Sequence, residues 1–371
     1  MLLLPRRRSG RNLRPAGLPM KDATRSHPVR VLIVDDSRTI RAMIRSVLDG
    51  DQRFEVVGEA GDPYAARDLI KSVNPDVLTL DVEMPRMNGL VFLRNLMRLR
   101  PMPVIMVSTR TSEQSEEAIT ALSLGAVDCI DLKRVHGAPD IRSKLTETLL
   151  AAAGASLRKP AADHEAPASG AGRVYRWTGQ IAIVGSSTGG VDALERLFST
   201  FPANAPPTFV AQHMPESFLA SFARRLEGKI APRVRLAESG LRAEQGTVYM
   251  APGGQRHLAL RPGERPICRL VEDNGEQLYV PSVDVLFRSA MPMAPSVVAV
   301  ILTGMGRDGA DALLDLRAGG ARTIVQDAET SVIDGMPGAA RANGAAETVL
   351  PLDRIGERLL GLCGSFEGAA A

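Results

Sequence analysis

Apolar residues follow two alternating patterns along the chain: short runs that predict strands, and stretches at helical spacing that predict helices. "VRVLIVDD" is an apolar run from Val29 that closes on two aspartates. "SRTIRAMIRSVLDG" follows with helical spacing and stops at a glycine. "FEVVGEA", "DVLTLDVEMP", "PVIMVST" and a weak "AVDCIDL" continue the strand series, with helical stretches between them. From 29 to 150 this predicts a doubly wound α/β unit whose functional loops gather at the carboxyl ends of parallel strands. Residues 151–178 are rich in Ala, Gly, Ser and Pro and read as a linker, with Tyr175 and Trp177 at its end placed to dock on the next unit. A second strand–helix series runs from 179 to 358. Its strands are "IAIVGSS", "TFVAQHMP", "PRVRLAE", "GTVYMAPG", "RHLALR", "ICRLV", "SVVAVILTG" and "ARTIVQDA". It predicts a second α/β unit with a mainly parallel sheet and a β-hairpin insert near 247–271. Residues 1–28 read as a basic, disordered arm, and 359–371 as a C-terminal tail.

Composition adjusts this picture only slightly. A length of 371 residues suits two domains, and 44% hydrophobic residues fill ordinary cores. Aromatics are only 4%, which disfavours stacking on single-stranded nucleic acid. The net charge of +3 comes from the arm: seven Arg and Lys precede Val29 against Asp22 alone, so the rest carries about −3. Cys129, Cys268 and Cys363 form no metal-binding spacing and read as reduced thiols. No apolar stretch reaches membrane-span length, and "MLLLP" precedes rather than follows the basic residues expected of a secretory signal. These features predict a cytoplasmic protein with no membrane insertion and no nucleic-acid partner.

In the first unit, Asp35 and Asp36 end one strand and Asp81 ends another, so their carboxylates converge over one crevice. Such a cluster suits a hard divalent cation, Mg²⁺, with one carboxylate free to attack a phosphorus atom. Asp81, alone at its strand end, is the candidate nucleophile. Ser108 and Thr109, at the end of the fourth strand, offer a hydroxyl to an added phosphoryl group, or else cap the next helix. "VLIVDDSRTIR", "TLDVEMPRMNGL", "VIMVST" and "LGAVDCI" together resemble a response-regulator receiver domain over 29–150. The resemblance implies a flavodoxin-like sheet and phosphorylation of Asp81 by a histidine kinase. It also implies Mg²⁺ held by Asp35, Asp36, Asp81 and the backbone carbonyl of Glu83, with Ser108 as switch. The chain departs from the family after the fifth strand. Leu132 stands where the lysine is expected, Lys133 follows one place later, and the proline is absent. Asn88 replaces the usual aspartate.

In the second unit, "IAIVGSSTGG" places serines at a strand-to-helix turn, near backbone donors able to receive an oxyanion. It matches neither a Walker A loop nor G-x-G-x-x-G nor G-x-S-x-G, although Gly185, Gly189 and Gly190 could line a nucleotide turn. His213 in "AQHMP" and Asp308 in "LTGMGRDGA" fall on other carboxyl-end loops, which allows a Ser–His–Asp constellation. His257 is the competing base, but its place in a hairpin predicts a packing or capping role away from those loops.

"VGSSTGG", "AQHMP", "YMAPGG", "LTGMGRDGA" and "DGMPGAA" closely resemble the catalytic domain of CheB-type protein-glutamate methylesterases over about 180–355. The resemblance implies a Rossmann-like sheet with Ser187 as nucleophile, Ser186 replacing the family's alanine, His213 as base and Asp308 as the acid that orients it. Met305 falls in the family's oxyanion region, and Thr188 supports the same loop. The implied activity is hydrolysis of glutamyl γ-methyl esters on chemoreceptor signalling helices, with deamidation of selected glutamines and no cofactor for ester hydrolysis. The implied partners are a chemotaxis histidine kinase and methyl-accepting chemoreceptors at membrane-associated arrays. The competing expectation is a receiver joined to a phosphate- or nucleotide-binding adaptor. It lacks a ribose-binding acid and gives His213 and Asp308 no joint role.

Overall fold

The structure, a computed structural model, describes residues 27–84, 86–108, 114–131, 139–155 and 174–367. Its first sheet is built from β1 (Val29–Val34), β2 (Phe54–Ala60), β3 (Val77–Asp81), β4 (Val104–Ser108) and β5 (Asp128–Asp131). The helices between and after them are α1 (Arg38–Leu48), α2 (Pro63–Val73), α3 (Gly89–Leu99), α4 (Gln114–Ser123) and α5 (Pro139–Ala153). The strand order is β2-β1-β3-β4-β5, all parallel. This is the doubly wound, flavodoxin-like order, so β1 and β3 lie side by side with their carboxyl ends at one crevice. Both strands are buried, as their apolar runs require. Helix starts follow local chemistry. Ser37 caps α1, Asp62 caps α2 ahead of Pro63, and Asn88 caps α3 by accepting from Leu90 N–H at 2.7 Å.

The second unit begins with β6 (Val174–Trp177) and β7 (Ile181–Ser186), and continues through α6 (Gly190–Ser199), β8 (Thr208–Gln212), α7 (Glu216–Glu227) and β9 (Arg233–Leu236). β10 (Thr247–Met250), β11 (Arg256–Arg261), β12 (Ile267–Glu272), α8 (Val283–Ser289) and β13 (Val297–Ile301) come next. It closes with α9 (Ala310–Ala318), β14 (Arg322–Gln326), α10 (Met336–Ala342), β15 (Thr348–Leu350), α11 (Leu352–Cys363) and β16 (Gly364–Glu367). Seven strands form a parallel, Rossmann-like sheet in the order β15-β14-β13-β7-β8-β10-β9. The chain leaves β7 in one direction, through β8, and returns to its other side at β13. The space between the ends of β7 and β13 is therefore the topological switch point, where α/β sheets place ligands.

The hairpin expected near 247–271 is shorter and later. β11 and β12 pair antiparallel over Arg256–Glu272, while Thr247–Met250 is fully buried in the main sheet. The stretch expected as a tail from 359 continues α11 and then forms β16. β16 pairs antiparallel with β6, Gly364 opposite Trp177. Tyr175, at the end of the expected linker, is buried and its hydroxyl donates to Leu360 O at 2.9 Å. The basic arm up to residue 26 and residues 156–173 of the linker lie outside the described residues.

The two units touch. α4 packs on α6 and α7. Ser123 Oγ donates to Glu195 Oε1 at 3.1 Å, and Arg225 and Lys229 reach the same carboxylate.

Candidate active site at the switch point

β7 carries the chain into a tight turn, Ser186–Gly189, that opens α6. Gly189 has φ +78°, and a Cβ there would lie 2.7 Å from Val332 Cβ, so both conformation and space call for glycine. Across the switch point, a Cβ on Gly304 would lie 2.7 Å from Ser187 Cβ. The loop after β13 can approach the serine turn only because Gly304 has no side chain. Ser187 is buried at 8% exposure and lines a cleft of about 290 Å³, together with Thr188, His213 and Met305.

His213 follows β8 and its backbone N–H donates to Ser186 O at 3.0 Å. The Gln212 amide donates to Ser187 O at 2.9 Å and His213 O at 3.2 Å, tying the two loops together. Ser186 Oγ donates to Gln212 Oε1 at 2.5 Å and so faces inward, away from the cleft chemistry.

His213 Nε2 lies 2.7 Å from Asp308 Oδ2, with the two side chains only 6% and 9% exposed. Asp308 also accepts from Val283 N–H at 2.7 Å, Asp284 N–H at 3.0 Å and Ser282 Oγ at 3.1 Å. These donors form the capped start of α8. Burial pushes the Asp308 carboxyl up, but the hydrogen bond and electrostatic pull of His213 and the Asp284 and Val283 amides outweigh it. The group is held below the ordinary carboxylate value. An ionised Asp308 accepts a hydrogen bond from Nε2–H, which leaves Nδ1 as the bare nitrogen of a neutral ring. Nδ1 is buried and has no hydrogen-bond partner among the described residues. Ser187 Oγ is not hydrogen-bonded to it here; such contacts often tighten only with substrate bound.

Sequence reasoning missed several supports. The Tyr279 ring stacks on His213 at 4.3 Å and 14°, covering one face of the imidazole. Gln212 and Ser282 were equally invisible, because their roles rest on contacts remote in sequence. His257 requires a correction. It is in the hairpin as expected, yet it is not remote from the site: its Nδ1 accepts from Ser282 N–H at 3.0 Å.

Thr188 Oγ1 donates to Asp128 Oδ2 of the first unit at 2.7 Å. Asp128, Cys129 and Thr148 therefore form one wall of the cleft that Ser187 lines.

At the first sheet's crevice, Asp35, Asp36 and Asp81 bring carboxylate oxygens within 4.8 Å of one another. Burial, then the charge of Asp35, pushes the Asp81 carboxyl up to about 7. Burial likewise pushes Asp35 up to about 6, with Asp36 adding to it. A compact set of hard oxygen donors that resist ionising together fits a divalent ion. Ser108 lies in β4 opposite Asp131, but its side chain lies outside the described residues, as do Thr109, Leu132 and Lys133.

A family model described as CheB methylesterase matches residues 182–359, and one described as response regulator receiver domain matches 31–144. A protein-glutamate methylesterase/protein-glutamine glutaminase of Rhizobium etli is 50% identical over 340 residues, covering 91% of this chain and 97% of the relative. The enzyme of the same name from Agrobacterium fabrum is 47% identical over 338 residues, covering 90% and 96%. One from Caulobacter vibrioides is 46% identical over 336 residues, covering 90% and 98%.

Proposed function

The chain belongs to the CheB-type protein-glutamate methylesterase/protein-glutamine glutaminase family, and from that premise we propose that Ser187, His213 and Asp308 form its hydrolytic triad. The observation that carries this reading is the imidazole of His213, fixed on Asp308 through Nε2 with Nδ1 unpartnered in the cleft that Ser187 lines. The adaptor reading leaves that arrangement without purpose.

His213 Nδ1 takes the proton from Ser187 Oγ as the oxygen attacks the γ-carbonyl carbon of a methylated receptor glutamate. Ser187 N–H and Gly190 N–H are engaged with Thr303 O and Ser187 O, so the Thr188 and Gly189 amides and the Met305 loop receive the oxyanion. As the carbonyl reforms, the C–OCH₃ bond breaks and Nδ1–H protonates the departing oxygen, giving methanol and a glutamyl ester on Ser187. Water, deprotonated by the same nitrogen, cleaves that ester to a carboxylate and returns the proton to Ser187. Deamidation follows the same path with ammonia as leaving group. Asp308 stays ionised throughout and favours the imidazolium. The test is methanol release from methylated receptor membranes, lost when Ser187 is replaced.

Asp81 is the phosphoryl acceptor, with a chemotaxis histidine kinase as donor, and Asp35, Asp36, Asp81 and the Glu83 carbonyl would hold Mg²⁺. Bound there, Mg²⁺ would offset the charge on the phosphoryl oxygens. Ions compete with protons for carboxylates, so the raised Asp81 and Asp35 values fix a sign. Apparent Mg²⁺ affinity should fall as pH drops from about 8 to about 6, and binding near pH 6.5 should release protons. Calorimetric titration with Mg²⁺ at several pH values checks this; a pH-independent affinity would count against the three-aspartate site. Acetyl phosphate with Mg²⁺ should add one phosphoryl mass to the intact chain, and to the Asp81→Asn chain none.

The receiver restrains the esterase. Asp128 begins β5 and holds Thr188, the neighbour of Ser187, so a rearrangement of the β4–β5 region through Ser108 reaches the nucleophile's turn directly. Phosphorylation shifts the population toward an opened cleft. A phosphodonor should raise methanol release severalfold in the full chain, and Asp81→Asn should abolish the response. If removing residues 1–150 yields a folded esterase no faster than the unphosphorylated chain, restraint by occlusion is wrong. Among the described residues no helix is long and apolar enough to cross a membrane. We place the enzyme in the cytoplasm, recruited to receptor arrays.

A further inference from the structure

We propose that His257 is a positioning residue for this hydrolysis, holding Asp308 in register through Ser282; the proposal rests on the triad reading above. His257 stands on β11 at 2% exposure, with both ring nitrogens engaged. Nδ1 faces the Ser282 backbone N–H at 3.0 Å. A backbone amide can only donate, so Nδ1 carries no proton. Nε2 faces Asp273 Oδ1 at 3.2 Å, and the ring's single proton therefore sits on Nε2, directed at that carboxylate. The two contacts fix one tautomer of a neutral imidazole.

Ser282 is where that constraint matters. Its hydroxyl donates to Asp308 Oδ1, and the next two amides, Val283 and Asp284, donate to Oδ2 and Oδ1. Three donors to Asp308 thus come from three consecutive residues, and the first of these is pinned by His257. Val283 N–H and His213 Nε2 share Oδ2. A shift of Ser282 would therefore move Asp308 and then the imidazole it orients. Misplacement of an aligned catalytic group by an ångström can cost about a hundredfold in rate. The hydrogen-bond path runs Asp273, His257, Ser282, Asp308, His213, and neither Asp273 nor His257 lines the cleft.

Two substitutions separate positioning from packing. His257→Asn places an amide oxygen where Nδ1 lies and keeps an acceptor for Ser282 N–H. His257→Gln fills more of the volume and reaches Asp273, but offers nothing at the Nδ1 position. In the full chain, measured by methanol release, the Asn variant should stay within a few-fold of wild type. The Gln variant should lose about tenfold or more in kcat with KM changed less than about twofold. A Gln variant equal to or better than the Asn variant, or losses that simply track thermal midpoints, would overturn the proposal.

Imidazole ¹⁵N shifts of the wild-type chain read the tautomer without any variant. A proton on Nδ1 of His257, or a charged ring, would also overturn it. Should both His257 variants fail to fold, Asp273→Ala removes the acceptor at Nε2 by altering a side chain that is 22% exposed. The Ser282 amide still keeps the ring proton on Nε2, but the loosened ring should lower kcat, and an unchanged kcat would refute the path. Asp308→Asn serves as reference. If it collapses the rate while His257→Gln does not, the positioning proposal alone falls. If Asp308→Asn leaves the rate intact, the triad reading falls and this proposal falls with it.

Discussion

Replacing Ser187 with Ala should lower methanol release by about 10⁴–10⁶-fold, because a nucleophile and its base act as one unit. The variant should keep its fold: Ser187 Oγ makes no hydrogen bond among the described residues, so its loss strands no buried partner. Ser186→Ala should behave in the opposite way. The Ser186 hydroxyl is fully buried and donates to Gln212 Oε1. Removing it should cost about 1–3 kcal/mol of stability, because Gln212 loses a partner, while activity falls less than about tenfold. Methanol release and urea midpoints, measured on both variants, decide the matter. A dead Ser186→Ala chain beside an active Ser187→Ala chain would reverse the assignment.

Asp308→Asn should cost about 10³–10⁴-fold in kcat/KM with little change in fold. The reason lies in donor counting. Both oxygens of Asp308 accept: Oδ1 from Ser282 and Asp284, Oδ2 from Val283 and His213. An asparagine must turn its NH₂ toward one of these pairs. Facing His213, it would donate to Nε2, push the ring proton to Nδ1 and remove the base. Facing Ser282 and Asp284, it would set donor against donor at the start of α8. Steady-state kinetics with ¹⁵N spectra of His213 distinguish the two outcomes, and a near-wild-type rate in a folded Asp308→Asn chain would refute the orienting role.

The strands that position these groups were legible because they are buried on both faces. β1, β3, β7 and β13 are apolar runs, and each ends in the turn or loop that carries the chemistry. The carboxyl-end placement of Ser187, His213 and Asp308 followed from that pattern, and the family motifs supplied which serine and which histidine. Less was legible where pattern and contact part company. β6 and β16 are four-residue strands with mostly exposed side chains, so neither run stands out. "TVYM" is adjacent in sequence to the hairpin but belongs to the main sheet, since its burial depends on neighbours far along the chain. Tyr279 follows no period, and the Thr188–Asp128 bond joins residues 60 apart in different units. His257 lies in the hairpin that its pattern predicts, yet beside the start of α8. A strand position says nothing of which loop will fold back onto it.

The pairing of β6 with β16 carries a consequence for how this esterase can be assembled into larger machines. The strand on which the catalytic unit's chain enters is hydrogen-bonded to the strand on which it leaves, Trp177 beside Gly364. A unit whose entry and exit meet is a cassette: it can be spliced behind a different input module, or into a surface loop of another protein, without stretching its own sheet.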